Sequence, residues 1–347
     1  MQYSVSVVIP VYNGGEAFKS CIESLSRCNP APEEVIVVAD GPSDGAYRYA
    51  REQGYRTIIL ETENGRPHGP SYARNRGASG AKSNILLFID ADVQVEENII
   101  SLVKTVFQDD RNLDALLGSY NDTPKDPGII SQYRNLLHHY IHQISNETAS
   151  TFWGACGAIK SETFHLCGGF NTEYQQPSIE DIELGYRLVS KGKRIRLTKH
   201  IQVTHLKKWG FWSMLKTDVM NRALPWSKLI LQRDGVPWDL NISLSARVST
   251  FTASVLPVLF LLCLGAEIPY CSSLVLLCCG LLLLLNRGFY RFLLRKKGSA
   301  FMIRAIPLHW LYFFYSGVTF AFALFRYRIL GPWLQRQQIT TADNHHN

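Results

Sequence analysis

Ile85-Leu86-Leu87-Phe88-Ile89-Asp90-Ala91-Asp92 joins a short, unbroken apolar run to two carboxylates, and the fold of this 347-residue chain is read outward from it. Five apolar residues closed by a polar turn have the length and composition of a buried strand. Val5-Ser6-Val7-Val8-Ile9-Pro10 is β-branched and stopped by proline, Glu34 to Asp40 is apolar and again ends on a carboxylate, and Arg56 to Leu60 is a third run of the same kind. Between them, Asn13-Gly14-Gly15 turns the chain, and Phe18, Cys21, Ile22 and Leu25 recur at helical spacing over 17–28. Gly41 to Gly45 is a loop, and 71–81 suits a helix with Ser71 as its N-cap. Strand, helix, strand, helix, strand in this order predicts an α/β domain with a mostly parallel sheet.

Ligands bind such sheets at the carboxyl ends of the strands. Asp40 and Asp90 both stand there; either alone reads as a solvated loop acid, and the two on neighbouring strand ends favour a shared site. Asp90 and Asp92, one small residue apart, can face a single divalent cation, and hard oxygen ligands suit magnesium or manganese held through a diphosphate. Gly154-Ala155-Cys156-Gly157-Ala158-Ile159 is either a strand packed tightly beneath a helix or a place where backbone approaches a ligand; the second reading makes Gly154 a donor-binding residue. Ser178 to Leu188 reads as a helix start capped by Ser178. Glu180 and Asp181 lie in its first turn, where the dipole by itself accounts for acids. Arg194 to Leu197 reads as an edge strand. His205, after Val203-Thr204, is a lone histidine, a type more often structural than metal-ligating.

The formal charge of +7 is uneven: residues 1–246 hold 26 Lys+Arg against 27 Asp+Glu, and 247–347 hold 10 against 2. A neutral N-terminal part argues against nucleic acid as partner. The basic residues of the C-terminal part flank apolar runs, which points to an anionic membrane surface. None of the eight cysteines forms a Cys-x-x-Cys pair. They read as buried thiols of a reducing compartment, without a zinc site or a disulfide framework. No basic, apolar leader opens the chain, so the N-terminal domain is expected in the cytosol.

Val248 to Gly265 and Cys271 to Leu285 are nearly wholly apolar, close to the lower limit of the ~20 residues that cross a bilayer. They read as a helical hairpin whose tip, 266–269, carries no Lys or Arg. Arg287, Arg291, Arg295, Lys296, Lys297 and Arg304 follow, so charge bias puts this loop in the cytosol and the tip outside. Ala305 to Phe325 is a third span or an interfacial helix, with Trp310, Tyr312 and Tyr315 at headgroup level. Trp209 to Lys216 reads either as a basic amphipathic helix on the membrane surface or as an ordinary packing helix. The tail after Gln335 is expected to be disordered.

Five segments together resemble the family 2 glycosyltransferases of GT-A fold over roughly residues 4–215. They are Val7 to Asn13, Val37 to Gly41, Ala73-Arg74-Asn75-Arg76-Gly77, Phe88 to Asp92, and Glu180 to Leu188. The resemblance implies that Pro10, Tyr12 and Asn13 line a nucleotide pocket, and that Asp40 binds base or ribose. It sets Arg74 near the nucleotide, Asp90 at the ribose, and Asp92 on a metal that bridges the diphosphate. Asp181 matches the catalytic base with Glu180 beside it, and His205 matches a histidine that helps hold metal or diphosphate. Processive relatives carry Gln-x-x-Arg-Trp after the Glu-Asp segment. None occurs here, Arg222-Ala223-Leu224-Pro225-Trp226 being no match, so addition of single sugars is expected.

The expectation is thus an inverting hexosyltransferase using Mn²⁺ or Mg²⁺ and an Asp base. It draws on a nucleotide-sugar donor, UDP-hexose first and a GDP-sugar next, and serves a lipid or other membrane-borne acceptor. Residues 1–230 form the catalytic domain, 231–335 a membrane region with interfacial helices and two to three spans, and 336–347 a tail. The whole is an integral membrane protein with its catalytic domain in the cytosol, at the inner or plasma membrane if bacterial. A nucleotidyltransferase would want a richer glycine loop than Asn13-Gly14-Gly15. A catalytically silent nucleotide-sugar-binding scaffold is the remaining alternative, opposed by the intact Asp40, Asp90, Asp92 and Asp181.

Overall fold

A computed structural model describes residues 3–41, 44–62, 64–232, 243–265 and 269–330. The chain forms two compact units, 1–210 and 211–347. In the first unit the order is β1 (Val5–Val11), α1 (Gly15–Ser26), β2 (Glu34–Asp40), α2 (Tyr47–Glu52), β3 (Arg56–Leu60), α3 (Pro70–Ala78), β4 (Ile85–Ile89) and β5 (Val93–Val95). Then follow α4 (Ile99–Asp109), β6 (Ala115–Tyr120), α5 (Ile129–Ile144), β7 (Thr148–Ala149), β8 (Cys156–Lys160), α6 (Ser161–Leu166), α7 (Glu180–Ser190) and β9 (Ile195–His205).

The strands make one sheet in the order β3-β2-β1-β4-β8-β6-β9-β5, with β7 on β9. The first four are parallel, as the alternation of strand and helix predicts. Beyond them the sheet is mixed: β8 runs antiparallel to both β4 and β6, β6 and β9 are parallel, and β5 and β7 are antiparallel to β9. The sheet is therefore less parallel than expected. The small-residue segment at 154–159 supplies the reversing strand, and its lack of bulk left the direction unmarked in sequence. Arg194 to Leu197 is not an edge strand either; it opens the 11-residue β9, which lies inside the sheet.

Both faces of the parallel half are covered, which is why its strands read as continuous apolar runs. Val5, Val7, Ile9 and Val11 point to the face packed by Phe18, Cys21, Ile22 and Leu25 of α1 and by α4. On the opposite face Ile36, Val38 and Leu60 meet Ala73 of α3. Phe88 of β4 is fully buried and sits edge-on to Phe152 and Phe170, with Phe164 beside it; truncating such a ring costs about 3–5 kcal/mol. One expected cap is replaced. The helix at 70 starts on Pro70 after Gly69, so Ser71 lies inside it and does not cap it, and the helix at 180 starts after Ile179.

The second unit holds α8 (Phe211–Lys216), a π-helical turn (Thr217–Ala223), α9 (Leu224–Leu231), α10 (Leu244–Gly265), α11 (Cys271–Leu285), α12 (Arg287–Lys297), α13 (Ser299–Leu324) and a π-helical end (Phe325–Leu330). Among the described residues, Leu244–Gly265 and Ser299–Arg328 are long and apolar enough to cross a membrane. The pair α11 and α12 passes the same test together and is bent by 64°. Helices α10 and α13 cross closely, since a Cβ on Gly317 would collide with Ser254 Oγ; small residues at such crossings are the usual means of close helix packing in lipid.

Two expectations for this unit change. Cys263 and Cys271 form a disulfide, because the end of α10 and the start of α11 bring their Cα atoms to 5.6 Å; the other six thiols are free. Tyr315 does not present its hydroxyl outward: it is buried and donates to Asp218 (2.7 Å), while Trp310 Nε1 donates to Tyr290 Oη (3.2 Å). Residues 266–268 of the expected hairpin tip and the tail 336–347 lie outside the described residues.

Candidate active site

The site grows from the carboxyl ends of β1, β2 and β4, three neighbours in the sheet. The parallel register that pairs Val11 with Ala39 brings Tyr12 and Asn13 beside Asp40. Tyr12 is more than half exposed, Pro10 is half-buried, and Asn13 adopts a left-handed φ of 51° at the turn into α1. Asp40 is buried and already engaged. One oxygen accepts from the His68 backbone N (3.0 Å) and faces His68 Nδ1 (3.1 Å), and the other accepts from Gly69 N (2.7 Å).

After β4, Asp90 and Asp92 diverge. Asp90 accepts from Arg74 Nη2 (2.7 Å), and Arg74 Nη1 donates to Glu180 Oε1 (2.9 Å). Arg74 is buried over the Phe170 ring. Burial works against its charge, and the flanking Asp90 and Glu180 more than offset that, so its affinity for the proton rises. The second Glu180 oxygen accepts from Ser178 N (2.8 Å), so this buried carboxylate is satisfied on both sides. Gly154 lies against the same guanidinium: a Cβ there would meet Arg74 Nη2 at 2.9 Å. Its N–H donates to Asp181 Oδ2 (3.1 Å), whose other oxygen accepts from Ile182 N (2.8 Å). Asp181, unlike Glu180, keeps part of its surface open.

Asp92 belongs to the mixed side of the sheet. Pairing of Val93 with His205 and a bond from Leu206 N to the Asp92 carbonyl (2.8 Å) bring His205 Nε2 to 3.7 Å from Asp92 Oδ2. Burial opposes ionisation of Asp92, yet the His205 ring and the Lys207 ammonium hold its carboxyl below the usual range. Tyr120 stacks on His205 with centroids 4.4 Å apart, and Trp153 and His138 pack against Tyr120 in turn. Among the described residues no three His, Cys, Asp or Glu side chains converge as a metal cage, so Asp92 and His205 stand as a pair. The nearby thiols are inert: burial pushes Cys156 up to about 12 and raises Cys21 further.

The structure therefore brings Asp90, Arg74, Glu180, Gly154 and Asp181 into one connected cluster, sets Asp92 beside His205, and aligns Pro10, Tyr12, Asn13 and Asp40 on adjacent strand ends. Other motif residues serve the frame. Asn75 exchanges two 2.8 Å bonds with the Phe170 backbone, Arg187 clamps the carbonyls of Cys167 and Gly169, and a Cβ on Gly185 would strike the backbone at Phe152. Trp209, read as a membrane-interface residue, is instead buried within the first unit, sandwiched by Arg134 (4.0 Å) and Lys207 (4.5 Å). Phe211 and Trp212 are the exposed aromatics of that segment. Sequence reasoning missed His68 and the backing cluster of Tyr120, His138 and Trp153. His68 lies in an irregular loop with no periodic signal, and His138-His139-Tyr140-Ile141-His142 was the available hint of the second.

Residues 6–166 match the family described as "Glycosyl transferase family 2". Glycosyltransferase GlyG of Streptococcus pneumoniae is 30% identical over 131 residues, 37% of this chain and 42% of its own length. The uncharacterized glycosyltransferase YibD of Escherichia coli is 33% identical over 109 residues, 30% of this chain and 31% of its own. The chain thus spans less than half the length of these curated relatives. A solved structure, the mannosyltransferase PcManGT of Pyrobaculum calidifontis in complex with GDP-Man and Mn²⁺, superposes with a TM-score of 0.60 at 18% identity, over 90% of this chain and 88% of that one. The chain carries a family 2 glycosyltransferase domain over residues 6–166, on a mixed α/β sheet of the GT-A kind, followed by helices long and apolar enough to cross a membrane.

Proposed function

We propose that the protein transfers single sugars from a nucleoside diphosphate sugar to a membrane-borne, lipid acceptor, with inversion at the anomeric carbon and Asp181 as the base. The observation that carries this reading is the contrast between two adjacent carboxylates. Glu180 is buried and spent on Arg74 and Ser178 N, whereas Asp181 is partly open and aimed by Gly154 N–H. A base must reach the proton it removes, and only Asp181 has surface left to do so. It would take the acceptor hydroxyl proton as that oxygen attacks C1 and the C1–O bond to the diphosphate breaks; no protein nucleophile is required. Glu180 then serves as a positioning residue beside it.

Asp92 and His205, adjacent at 3.7 Å, suit one Mn²⁺ or Mg²⁺ completed by diphosphate and water oxygens. Such an ion would stabilise the charge gained by the departing diphosphate. Pro10, Tyr12, Asn13, Asp40, Arg74, Asp90 and Gly154 would line the donor site. UDP and GDP sugars fit the reading, a solved structure of like fold being a mannosyltransferase in complex with GDP-Man. The lipid acceptor, and a catalytic domain on the cytosolic side of the bilayer, rest on the spanning-length helices, on the basic stripe of α12 and on the exposed Trp212.

Detergent-purified full-length protein would be assayed for nucleoside diphosphate release from UDP- and GDP-sugars, with Mn²⁺ or Mg²⁺ and a membrane lipid extract. Release that requires one donor, the extract and an intact Asp181 is expected. Near-normal release by Asp181→Asn would remove Asp181 from its role. Nucleotide binding without release under any condition would return the silent-scaffold reading.

A further inference from the structure

Strand β9 is interrupted in its middle. Its register with β6 steps from Leu117 opposite Leu197 to Ser119 opposite Gln202, so the segment 198–201 stands against Gly118 alone. On the other edge β7 pairs with Ile195 and Arg196, and β5 pairs with Val203 to His205, which leaves the bulge with no strand beside it. Side chains hold it in place instead. A Cβ on Gly118 would strike the Ile201 carbonyl at 2.6 Å, so glycine is what lets β6 approach. The Lys199 carbonyl accepts from Gln143 Nε2 of α5 (3.2 Å) and from Gln202 Nε2 (3.0 Å). Bulges at sheet edges re-aim side chains and often border binding sites.

A cavity of about 380 Å³ opens at this bulge, in the size range of small-ligand sites, ~300–1,000 Å³. Its polar lining is Thr198, Lys199, His200, Gln143, Gln202 and Glu147. Thr198 is 4% exposed, and among the described residues its hydroxyl has no hydrogen-bond partner. A buried hydroxyl left in this state is costly, and a ligand group in the cavity would relieve it. Arg196, also on the lining, is spent on Asp110 (2.6 Å), whereas Lys199 has no carboxylate partner among the described residues. Both glutamines keep an Oε1 acceptor and ionised Glu147 only accepts, while Lys199 only donates and Thr198 can do either. A ligand that satisfies this set must both give and take hydrogen bonds. A simple anion gives none and would face Glu147; neighbouring sugar hydroxyls do both.

We propose that this cavity is a second, non-catalytic site that binds a neutral saccharide through its hydroxyl groups. From Gln202 to His205 the strand rises roughly 10 Å, so the site is separate from the Asp92 and His205 pair. It goes beyond the transfer reaction and does not depend on which residue is the base. The saccharide could be a free sugar or part of a glycan chain, and the two differ in whether a second linked unit adds affinity.

The test is saturation-transfer NMR on the full chain, in a detergent without a sugar headgroup. The probes are methyl glycosides of glucose, galactose, mannose and N-acetylglucosamine, with cellobiose and lactose. At least one should receive saturation at its ring protons. A disaccharide that binds more tightly than its units supports a glycan chain as ligand, and equal binding supports a free sugar. Thr198→Val keeps the shape and removes the hydroxyl, so it should weaken the sugar about tenfold, the worth of one hydrogen bond. Its unfolding temperature should hold or rise, because an unpartnered hydroxyl gives way to a methyl; a merely structural role for Thr198 would lower it. Combined with Lys199→Met it should abolish the signal and leave nucleotide binding unchanged. Asp181→Asn should bind the sugar as the parent does. Absence of saturation transfer with every probe, or an undiminished signal in the double variant, overturns the site. Loss of the signal in Asp181→Asn puts the sugar at the catalytic centre and overturns it equally. Displacement of the sugar by inorganic phosphate or acetate overturns the saccharide class.

Discussion

Replacing Glu180 by Gln and Asp181 by Asn separates two carboxylates that sequence alone treats as one motif. Glu180 accepts a charge-assisted bond from Arg74 at 2.9 Å and a backbone bond from Ser178 at 2.8 Å, both in a buried setting. A glutamine keeps the shape and one oxygen acceptor, so one of the two bonds is lost and Arg74 is left with Asp90 as its single carboxylate. A bond to a charged group contributes about 1.5–3 kcal/mol, and the retained shape avoids the larger cost of a fully unpaired buried charge. The expected loss for Glu180→Gln is therefore about 2 kcal/mol, or roughly 4–8 °C in the unfolding temperature of a unit this size. Donor turnover should survive to within about tenfold, a rise of at most about 1.4 kcal/mol in the barrier. Asp181→Asn is more exposed and keeps an oxygen for Gly154 N, so its stability should change by less than about 1 kcal/mol. Its transfer rate should fall by about 10²–10⁴, the usual worth of a general base. Thermal unfolding and initial-rate measurements on the same detergent preparations give both quantities. A Glu180→Gln protein that is as stable as the parent but inactive, beside an active Asp181→Asn, would refute the assignment and make Glu180 the base.

Gly154→Ala places a methyl 2.9 Å from Arg74 Nη2; it should cost about 1–3 kcal/mol in stability and weaken nucleotide binding, read by unfolding and by titration. His142 is buried on the Gly118 carbonyl, and burial lowers its ring to about 4. Its unfolded form takes up a proton from pH 6.5 downward, so stability should be full above that pH and decline by about 3 kcal/mol as pH falls to 4. The slope in a urea series should diminish in His142→Gln. Gly317→Leu, set against Ser254 and Thr250, should force α10 and α13 apart and lower the detergent unfolding temperature, whereas Leu324→Ala at an exposed position should not.

Much of the parallel half of the sheet was legible because each strand is buried on both faces and so reads as an unbroken apolar run. The runs at 34–40 and 56–60 became β2 and β3 at their expected limits, and Phe18, Cys21, Ile22 and Leu25 are the buried stripe of α1. Spacing of acids at strand ends was equally local, and it marked Asp40, Asp90 and Asp92. What local pattern does not carry is direction and partnership. The reversal at β8 depends on which strands lie beside it, so Gly154 to Ile159 could be read two ways until Arg74 was seen against Gly154. His205 meets Asp92, 113 positions away in the chain, through the β5–β9 register. The division of labour between Glu180 and Asp181 depends on Arg74, which reaches one of them from α3. Cys263 and Cys271 likewise became partners only when the ends of two helices met. The sequence by itself carried the family resemblance of the N-terminal motifs and the row of strand-end residues, because burial and turn chemistry act over a few neighbours. Tertiary structure decided which carboxylate is closed and which is open, because hydrogen bonds between distant segments exist only once the chain is packed.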